Sequence, residues 1–158
     1  MLADGATQLL VFLLGDERFG IPLAEVDEVI DAPVVQPLPD APPVVLGICA
    51  IRGAWMVVYD PRPLLHLPPK NETGGRNDGA ALLFMRDNKR IALDVDDVFD
   101  AITVREDEVR PPPALGVADG FVTGVVRRGD ELIAVVDCRA LLNAATAGHA
   151  EGGERKHS

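Results

Sequence analysis

The sequence predicts a mainly β protein made of two pseudo-symmetric five-stranded SH3-like barrels packed together, with a short C-terminal helix. The first observation is an internal repeat. Residues 44–65, VVLGICAIRGAWMVVYDPRPLL, align without a gap on residues 121–142, FVTGVVRRGDELIAVVDCRALL, at an offset of 77 (121 − 44). The second is that the apolar segments are short, rich in β-branched residues and separated by turn residues such as Gly15-Asp16. Segments such as VVLGI and LIAVVD are apolar on both faces, which favours strands wrapped into small barrels.

The repeat divides the chain into two halves, at approximately 9–65 and 80–142, and leaves open an exchange of strands between them. Each half contains a hairpin, a Val-Asp-acid-Val step, a proline cluster, a second hairpin and a Leu-Leu pair. Residues 66–79 are rich in Pro, Gly and Asn and are expected to form a linker loop. The complete domain is therefore predicted to span residues 9–147.

The C-terminal helix is expected over about Arg139–Ala147. Asp137 can cap its first turn, and the stretch Ala-Leu-Leu-Asn-Ala-Ala favours helix. Gly148 is expected to end the helix, and residues 148–158 are expected to form a flexible tail.

Two glycines occupy matching positions inside the repeated strands. Gly47 aligns with Gly124 at the offset of 77. Because glycine inside a strand usually marks the close approach of another part of the chain, a side chain at either position is expected to crowd the sheet.

The composition argues against several classes of partner. The chain has 158 residues, 47% of them hydrophobic, and a net charge of −10 with only three lysines. An acidic chain without a basic stripe repels phosphate backbones, so neither nucleic acid nor an anionic membrane is an expected partner. No apolar run approaches the ~20 residues of a membrane helix, and no secretory signal is visible. With two cysteines at non-equivalent positions of the repeat, a cytoplasmic location is the simplest interpretation.

No arrangement of nucleophiles suggests catalysis. The only serine is Ser158, the last residue, so a serine triad is excluded. Cys49 lies in an apolar segment, and Cys138 follows the carboxylate of Asp137, which disfavours a thiolate at both positions. We therefore expect both cysteines to be small buried hydrophobic residues, and the chain not to be an enzyme.

Metal and cofactor sites are likewise not expected. The histidines lie in the linker or the tail without metal-ligand spacing: His66, His149 and His157. An acidic run lacks the glycine and the final glutamate of a calcium loop: Asp94, Asp96, Asp97 and Asp100. Its alternation with Val95 and Val98 predicts one solvated edge and one apolar edge.

The order of motifs resembles the CheW family, the adaptors of bacterial chemosensory arrays. The similarity lies in F-x-LGDERFGIPL, then LP-x-AP-xx-VLGI-xx-IRG, then D-x-R-x-LL, VDDVFD-x-I and F-xx-GV, and it runs from about Leu9 to Leu142. The segment GI-xx-IRG is its most specific part. The chain departs from the usual family pattern at Ala50, Trp55 and Pro61, which leaves the choice of receptor and pathway open.

The resemblance implies two pseudo-symmetric barrels and a scaffold without enzymatic activity. Such adaptors couple the cytoplasmic helical hairpin of a chemoreceptor to the regulatory domain of a CheA-type histidine kinase, and they meet the membrane only through receptor arrays. A pilus-motility or other non-flagellar pathway is an alternative, as is a generic double-barrel protein-binding module. A hydrolase that uses Cys49 or Cys138 is a third, weaker hypothesis.

The resemblance also implies binding residues. The kinase-binding set is Val26, Glu28, Val29 and Ile30. The receptor-binding set is Gly47, Ile48, Ile51, Arg52 and Val98. In an extended strand, Val26, Glu28 and Ile30 share one face and Val29 points the other way.

The receptor set centres on a hairpin tip. Arg52 is expected there with Gly53 supplying a positive φ, beside an apolar groove at the waist between the barrels and on a different face from the kinase set. Arg128, in the second copy, is expected to be an ordinary solvated residue.

Overall fold

The computed structural model describes residues 5–70, 79–112 and 120–157, apart from the side chains of 148–157. Within these ranges there are ten strands, two single-turn 3-10 helices and one α-helix. In chain order they are β1 (Ala6–Leu14), β2 (Glu17–Pro22), a 3-10 turn (Leu23–Glu25), β3 (Glu28–Asp31), β4 (Val45–Ile51), β5 (Ala54–Tyr59), β6 (Ala80–Arg86), β7 (Lys89–Val95), β8 (Asp97–Arg105), a 3-10 turn (Glu106–Glu108), β9 (Val122–Arg128), β10 (Glu131–Val136) and α1 (Cys138–His157). The mainly β prediction is confirmed. Most of the predicted linker, residues 71–78, lies outside the described residues.

The strands form two five-stranded sheets with the same strand order. Sheet 1 is β8-β1-β2-β10-β9 and sheet 2 is β3-β6-β7-β5-β4. Neighbouring strands are antiparallel except for the pairs β2–β10 and β5–β7, which are parallel. Sheet 1 thus combines the first two strands of the first half with the last three strands of the second half. Sheet 2 has the reciprocal composition, so the two sequence halves do not coincide with the two sheets.

Each sheet is curled but is not closed into a complete barrel. In sheet 2 the edge strands are β3 and β4, and Gln36, which follows β3, forms an isolated bridge with Ile48 in β4. In sheet 1 the edge strands are β8 and β9, and Arg110, which follows β8, bridges Val125 in β9. The predicted barrels are therefore SH3-like sheets whose two edges meet through one bridge each.

The repeat is reproduced residue by residue in the second hairpin of each half. Adding 77 to the bounds of β4 and β5 gives the bounds of β9 and β10. Gly47 lies opposite Val58, and Gly124 lies opposite Val135 at the same offset. Both hairpins also have an irregular register next to the glycine, typical of a β-bulge.

Both repeated glycines lie where another segment approaches the strand, as predicted. A Cβ atom at Gly47, whose φ is +152°, would lie 2.0 Å from the carbonyl oxygen of Gln36. At Gly124 it would lie 2.4 Å from Cγ1 of Val109 and 3.0 Å from the carbonyl oxygen of Arg110. Gln36 and Arg110 are also the residues that bridge the two edges of each sheet. Glycine at these two positions therefore leaves room for the bridging segments and allows each sheet to curl.

The main hydrophobic core lies between the sheets. It contains residues of sheet 1, sheet 2 and α1: Phe12, Leu14, Phe19, Ile21, Leu82, Phe84, Leu93, Val95, Leu141, Leu142 and Ala145. Each sheet has a smaller core of its own, around Met56 and Val58 in sheet 2 and around Leu9 and Val126 in sheet 1. Because burying one such side chain contributes about 1.5–3 kcal/mol, the shared core is the largest apolar contribution to folding.

The C-terminal helix begins as predicted and ends later. Oδ1 of Asp137 accepts a hydrogen bond from the Ala140 N–H at 3.1 Å, which is the predicted cap. The helix runs to His157, so the prediction that Gly148 ends it is wrong. A glycine costs about 1 kcal/mol relative to alanine in a helix, but it keeps its N–H, so the hydrogen-bond ladder continues. The side chains of the predicted tail, including His149 and His157, lie outside the described residues.

Candidate functional site

The β4–β5 hairpin presents Arg52 at its tip, as predicted. Arg52 and Gly53 form a two-residue turn with φ values of +49° and +82°. Two positive φ values are characteristic of the two-residue hairpin turn whose backbone twist matches the twist of the flanking strands. The Arg52 side chain is 59% exposed. A guanidinium group therefore projects from sheet 2 on a two-residue turn.

Arg52 contacts Glu28, which belongs to the predicted kinase-binding set. The Arg52 Nη2 donates a hydrogen bond to Oε1 of Glu28. The same oxygen lies 3.7 Å from Nη1 of Arg90, whose Nη2 lies 3.2 Å from Oδ2 of Asp27. The expectation that the receptor and kinase sets occupy different faces is therefore wrong at this point. Since Glu28 begins one edge of sheet 2 and Arg52 follows the other, the curl of the sheet brings them together.

The rest of the predicted kinase set follows the strand alternation. Glu28 and Ile30 are half-buried, and Ile30 packs against the small core of sheet 2. Val29 points outward and is 41% exposed. Val26 precedes the strand and packs against the shared core. Val29 and Glu28 are thus the members of this set that a partner can reach most directly.

The predicted receptor set is divided between the sheets. Ile48 and Ile51 are half-buried in β4, and Gly47 is covered by Gln36. Val98 lies in β8, at an edge of sheet 1, and packs against the shared core. The structure brings Arg52 to Glu28 and packs Ile51 and Ile30 against the same small core, whereas Val98 belongs to the other sheet.

One mostly apolar cavity lies away from the groove expected beside Arg52. A cavity of about 440 Å³ with a mostly apolar lining is formed by β2, β9 and β10, and includes Phe19, Leu132 and Ala134. All of these strands belong to sheet 1, and Arg52 does not line the cavity. The surface around Arg52 instead offers exposed single side chains, among them Trp55.

Arg128 is not the counterpart of Arg52. It is the last residue of β9, and the offset of 77 places Gly129, with φ +60°, at the position of Arg52. Nη1 of Arg128 donates to Oε2 of Glu108 at 2.7 Å, and Nη2 donates to the Thr103 carbonyl at 2.6 Å. The expectation of an ordinary solvated arginine is therefore wrong. The gapless alignment of the repeat already pairs Arg52 with Gly129, so this difference between the two hairpins could be predicted from the sequence.

A buried ionic cluster, comprising Asp60, Arg62, Asp94 and Asp96, was missed by the sequence reasoning. Arg62 is 2% exposed, Asp60 and Asp94 are also buried, and the side chain of Asp96 is 29% exposed. Its Nη1 lies 2.8 Å from Oδ1 of Asp60 and 3.1 Å from Oδ2 of Asp94, and its Nη2 lies 2.8 Å from Oδ1 of Asp96. Lys70 adds a contact to Asp94 at 3.3 Å. The predicted solvated edge of the acidic run is therefore wrong for Asp94, which is buried.

The carboxylates of the cluster keep the guanidinium of Arg62 charged. Burial acts to lower the pKa of Arg62, but Asp60 and Asp96 outweigh it, so the pKa lies above its usual value. Burial raises the pKa of Asp94, and Lys70 and Arg62 oppose that effect. Arg62 is thus a permanent buried cation whose neutralisation depends on its three carboxylate partners.

The two cysteines are poor nucleophiles in this environment. Burial, together with Glu25 and Asp137, raises the pKa of Cys138 to about 12. Burial also raises the pKa of Cys49. Both cysteines are buried free thiols. Because the thiolate is the reactive form, neither cysteine is activated at neutral pH.

Among the described side chains, those of residues 5–70, 79–112 and 120–147, no group of three or more His, Cys, Asp or Glu is arranged to hold a metal ion. No helix in the described part of the chain is long and apolar enough to cross a membrane.

The chain is similar in sequence to known proteins over most of its length. The profile of the CheW-like domain matches residues 8–146. The chain is 28% identical over 144 residues to the chemotaxis protein CheW of Treponema pallidum (strain Nichols), covering 89% of this chain and 85% of that protein. It is 27% identical over 138 residues to the chemotaxis protein CheW of Rhizobium meliloti (strain 1021), covering 86% and 87%.

The fold is similar to that of a solved structure. The crystal structure of the scaffolding protein TtCheW from Thermoanaerobacter tengcongensis matches with a TM-score of 0.72 and 24% sequence identity, covering 85% of this chain and 91% of that chain. This likeness supports the two-sheet architecture. Since the family profile spans nearly the whole chain as well, the chain belongs to the CheW-like domain family.

Proposed function

We propose that this protein is a non-enzymatic cytoplasmic adaptor that couples the cytoplasmic tip of chemoreceptors to a CheA-type histidine kinase. Membership of the CheW-like domain family supports an adaptor role, and the relatives at 27–28% identity are named chemotaxis proteins. The partners are a receptor helical hairpin and the regulatory domain of the kinase.

The observation that carries the proposal is the position of the Ile-Arg-Gly motif. Arg52 is exposed on a two-residue turn, and its partner in the folded chain is the surface carboxylate of Glu28. An exposed ion pair contributes about 0–1 kcal/mol, so a partner carboxylate can compete for the guanidinium at little cost. A charge-assisted hydrogen bond to that partner contributes about 1.5–3 kcal/mol when it is partly desolvated.

The kinase surface is proposed at β3, next to this hairpin. Val29 offers an exposed apolar side chain, and Glu28 offers a carboxylate that Arg90 also approaches. Because Glu28 lies between two arginines, Glu28→Lys would add a third positive charge there. Glu28→Gln is the cleaner variant, since it removes the charge and keeps the shape.

The receptor half of the proposal is tested with Arg52→Ala. Binding of a purified receptor cytoplasmic fragment, measured by isothermal titration calorimetry, is expected to weaken by about 10- to 100-fold, the equivalent of 1.5–3 kcal/mol. Kinase regulatory-domain binding is expected to survive, because Arg90 still accompanies Glu28.

The matched control is Arg127→Ala. Arg127 is exposed near the tip of the second hairpin, and its Nε donates only a local hydrogen bond, to the Gly129 carbonyl at 3.3 Å. Equal losses of receptor affinity in the two variants would contradict the assignment of Arg52. If the unmodified protein binds neither fragment, the proposed function fails, and that result favours a generic protein-binding module outside chemosensing.

The absence of enzymatic activity is tested through the thiols. With the pKa of Cys138 at about 12 and that of Cys49 raised, both should react slowly with a disulfide reagent at pH 8 in the native protein and rapidly in urea. A cysteine that reacts fast in the native state would favour the hydrolase hypothesis instead.

A further inference from the structure

The buried ionic cluster lies at the point where the chain passes from sheet 2 to sheet 1. We propose that Arg62 is a positioning residue that fixes the orientation of the two sheets relative to each other. This role concerns the conformation of the domain and does not depend on the proposed function.

Arg62 is attached firmly to sheet 2. It follows β5 by three positions, and its backbone N–H and its Nη1 both donate to Oδ1 of Asp60, at 3.0 and 2.8 Å. Asp94, the second partner, lies in β7 of the same sheet. These contacts fix the guanidinium plane with respect to sheet 2.

Asp96 carries the connection to sheet 1. It stands between β7 and β8, and its Oδ1 accepts the hydrogen bond from Nη2 of Arg62 at 2.8 Å. Its Oδ2 accepts a hydrogen bond from the Gly15 N–H at 2.6 Å, and its own N–H donates to the Leu13 carbonyl at 2.9 Å. A continuous series of directional hydrogen bonds therefore runs from the end of β5 to the β1–β2 turn.

The apolar core between the sheets does not by itself fix one relative orientation of the sheets. Burial of apolar surface is non-directional, and cores tolerate several packings before they lose much stability. Charge-assisted hydrogen bonds depend on distance and angle and discriminate between those packings. Buried ionic groups are retained in some proteins for such specificity, because they add little net stability over apolar substitutes.

The reverse crossing provides an internal comparison. Between β2 and β3 the chain passes from sheet 1 to sheet 2, and Asp27 occupies the place that Asp96 has in the Val-Asp-acid-Val step. The Asp27 N–H donates to the Leu83 carbonyl at 2.8 Å, which parallels the bond from Asp96 to Leu13. Its carboxylate, however, contacts Arg90 at 3.2 Å, and both side chains are 38% exposed. At the crossing from sheet 2 to sheet 1 the side chains of Arg62 and Asp96 are 2% and 29% exposed, so among the described residues a buried arginine partner occurs at that crossing only.

The test compares Asp96→Ala with Asp27→Ala by residual dipolar couplings of backbone amides. In the unmodified protein the couplings of both sheets should fit one alignment tensor. In Asp96→Ala the couplings of each sheet should still fit a separate alignment tensor. The couplings of both sheets together should no longer fit one tensor with the sheets in their original relative orientation. Asp27→Ala should keep the single fit. A single unchanged tensor in Asp96→Ala would overturn the proposal, and mere destabilisation would not change the couplings of the folded molecules.

A second variant covers failure of Asp96→Ala to fold. The combination Asp60→Asn, Arg62→Met, Asp94→Asn and Asp96→Asn removes all four charges and leaves no buried ion without a partner. It should fold with both sheets intact and lose the single alignment tensor. Retention of the original tensor would overturn the proposal. Failure of this variant to fold as well would also overturn it, because the cluster would then be needed for folding itself.

Discussion

The two copies of the Asp-x-Arg-x-Leu-Leu segment begin alike and end in different structures. In the second copy, Asp137 caps α1 through the Ala140 N–H, and Arg139 is exposed on the first turn. In the first copy, the position of Ala140 is held by Pro63, which has no N–H to donate to a cap. The carboxylate of Asp60 turns instead to Arg62, which becomes buried.

The difference teaches that the apolar and polar parts of a repeat can diverge separately. Leu65 is buried in the first copy, as Leu142 is in the second, so both segments still cover the shared core. What changed is whether a helix follows the capping aspartate. With Pro63 in place of the capped N–H, the arginine of the first copy is buried among Asp60, Asp94 and Asp96, whereas the arginine of the second copy is exposed.

The largest expected effect is the loss of the buried arginine. Arg62→Met leaves three carboxylates without their buried cation and should lower the free energy of unfolding by about 3–5 kcal/mol. Arg139→Met, at the matching position, should change it by about 0.5 kcal/mol or less, because the side chain is exposed. Urea denaturation of the two variants measures the contrast. Similar values would show that Arg62 is compensated by relaxation or water, and that the contrast between the copies is only geometric.

The second-largest loss of stability is expected from substitution of the repeated glycines. Gly47→Ala places a Cβ atom against the Gln36 carbonyl in a backbone conformation, φ +152°, that alanine rarely adopts. Overpacking and backbone strain together should cost about 3 kcal/mol. Gly124→Ala meets mainly the side chain of Val109, which can rotate, and should cost about 1–2 kcal/mol. The reverse order in thermal or urea unfolding would contradict this interpretation of the two edges.

The helix cap of the second copy should have a smaller effect. Asp137→Ala removes the hydrogen bond to Ala140 and should lower stability by about 1 kcal/mol, with partial loss of helical signal in circular dichroism. Asp137→Asn, which preserves the acceptor, is the control and should lose only a few tenths of that. A loss of several kcal/mol in the alanine variant would mean that Asp137 has a buried role like that of Asp60.

The sequence was sufficient for the fold class, the repeat, the hairpin tip at Arg52, the close approach at Gly47 and the start of α1. Each of these follows from local chemistry or from a pattern that recurs at a fixed offset. The buried cluster could not be predicted in this way, because Arg62 and Asp96 are 34 positions apart and meet only when the sheets pack. The contact between Arg52 and Glu28 was missed for the same reason, since it depends on how far sheet 2 curls.

The smallest expected effect concerns the other arginine of the first copy. Arg52 adopts φ +49°, which costs a residue with a side chain about 1–2 kcal/mol, and glycine occupies the matching position in the second hairpin. Arg52→Gly loses an exposed ion pair of about 0–1 kcal/mol and relieves this strain, so its stability should equal or slightly exceed that of the unmodified protein. Arg52→Ala keeps the strain and should be slightly less stable than Arg52→Gly. If Arg52→Gly instead loses more than about 1 kcal/mol in urea, the pair with Glu28 contributes to folding, and Arg52 resembles Arg62 more than its exposure indicates.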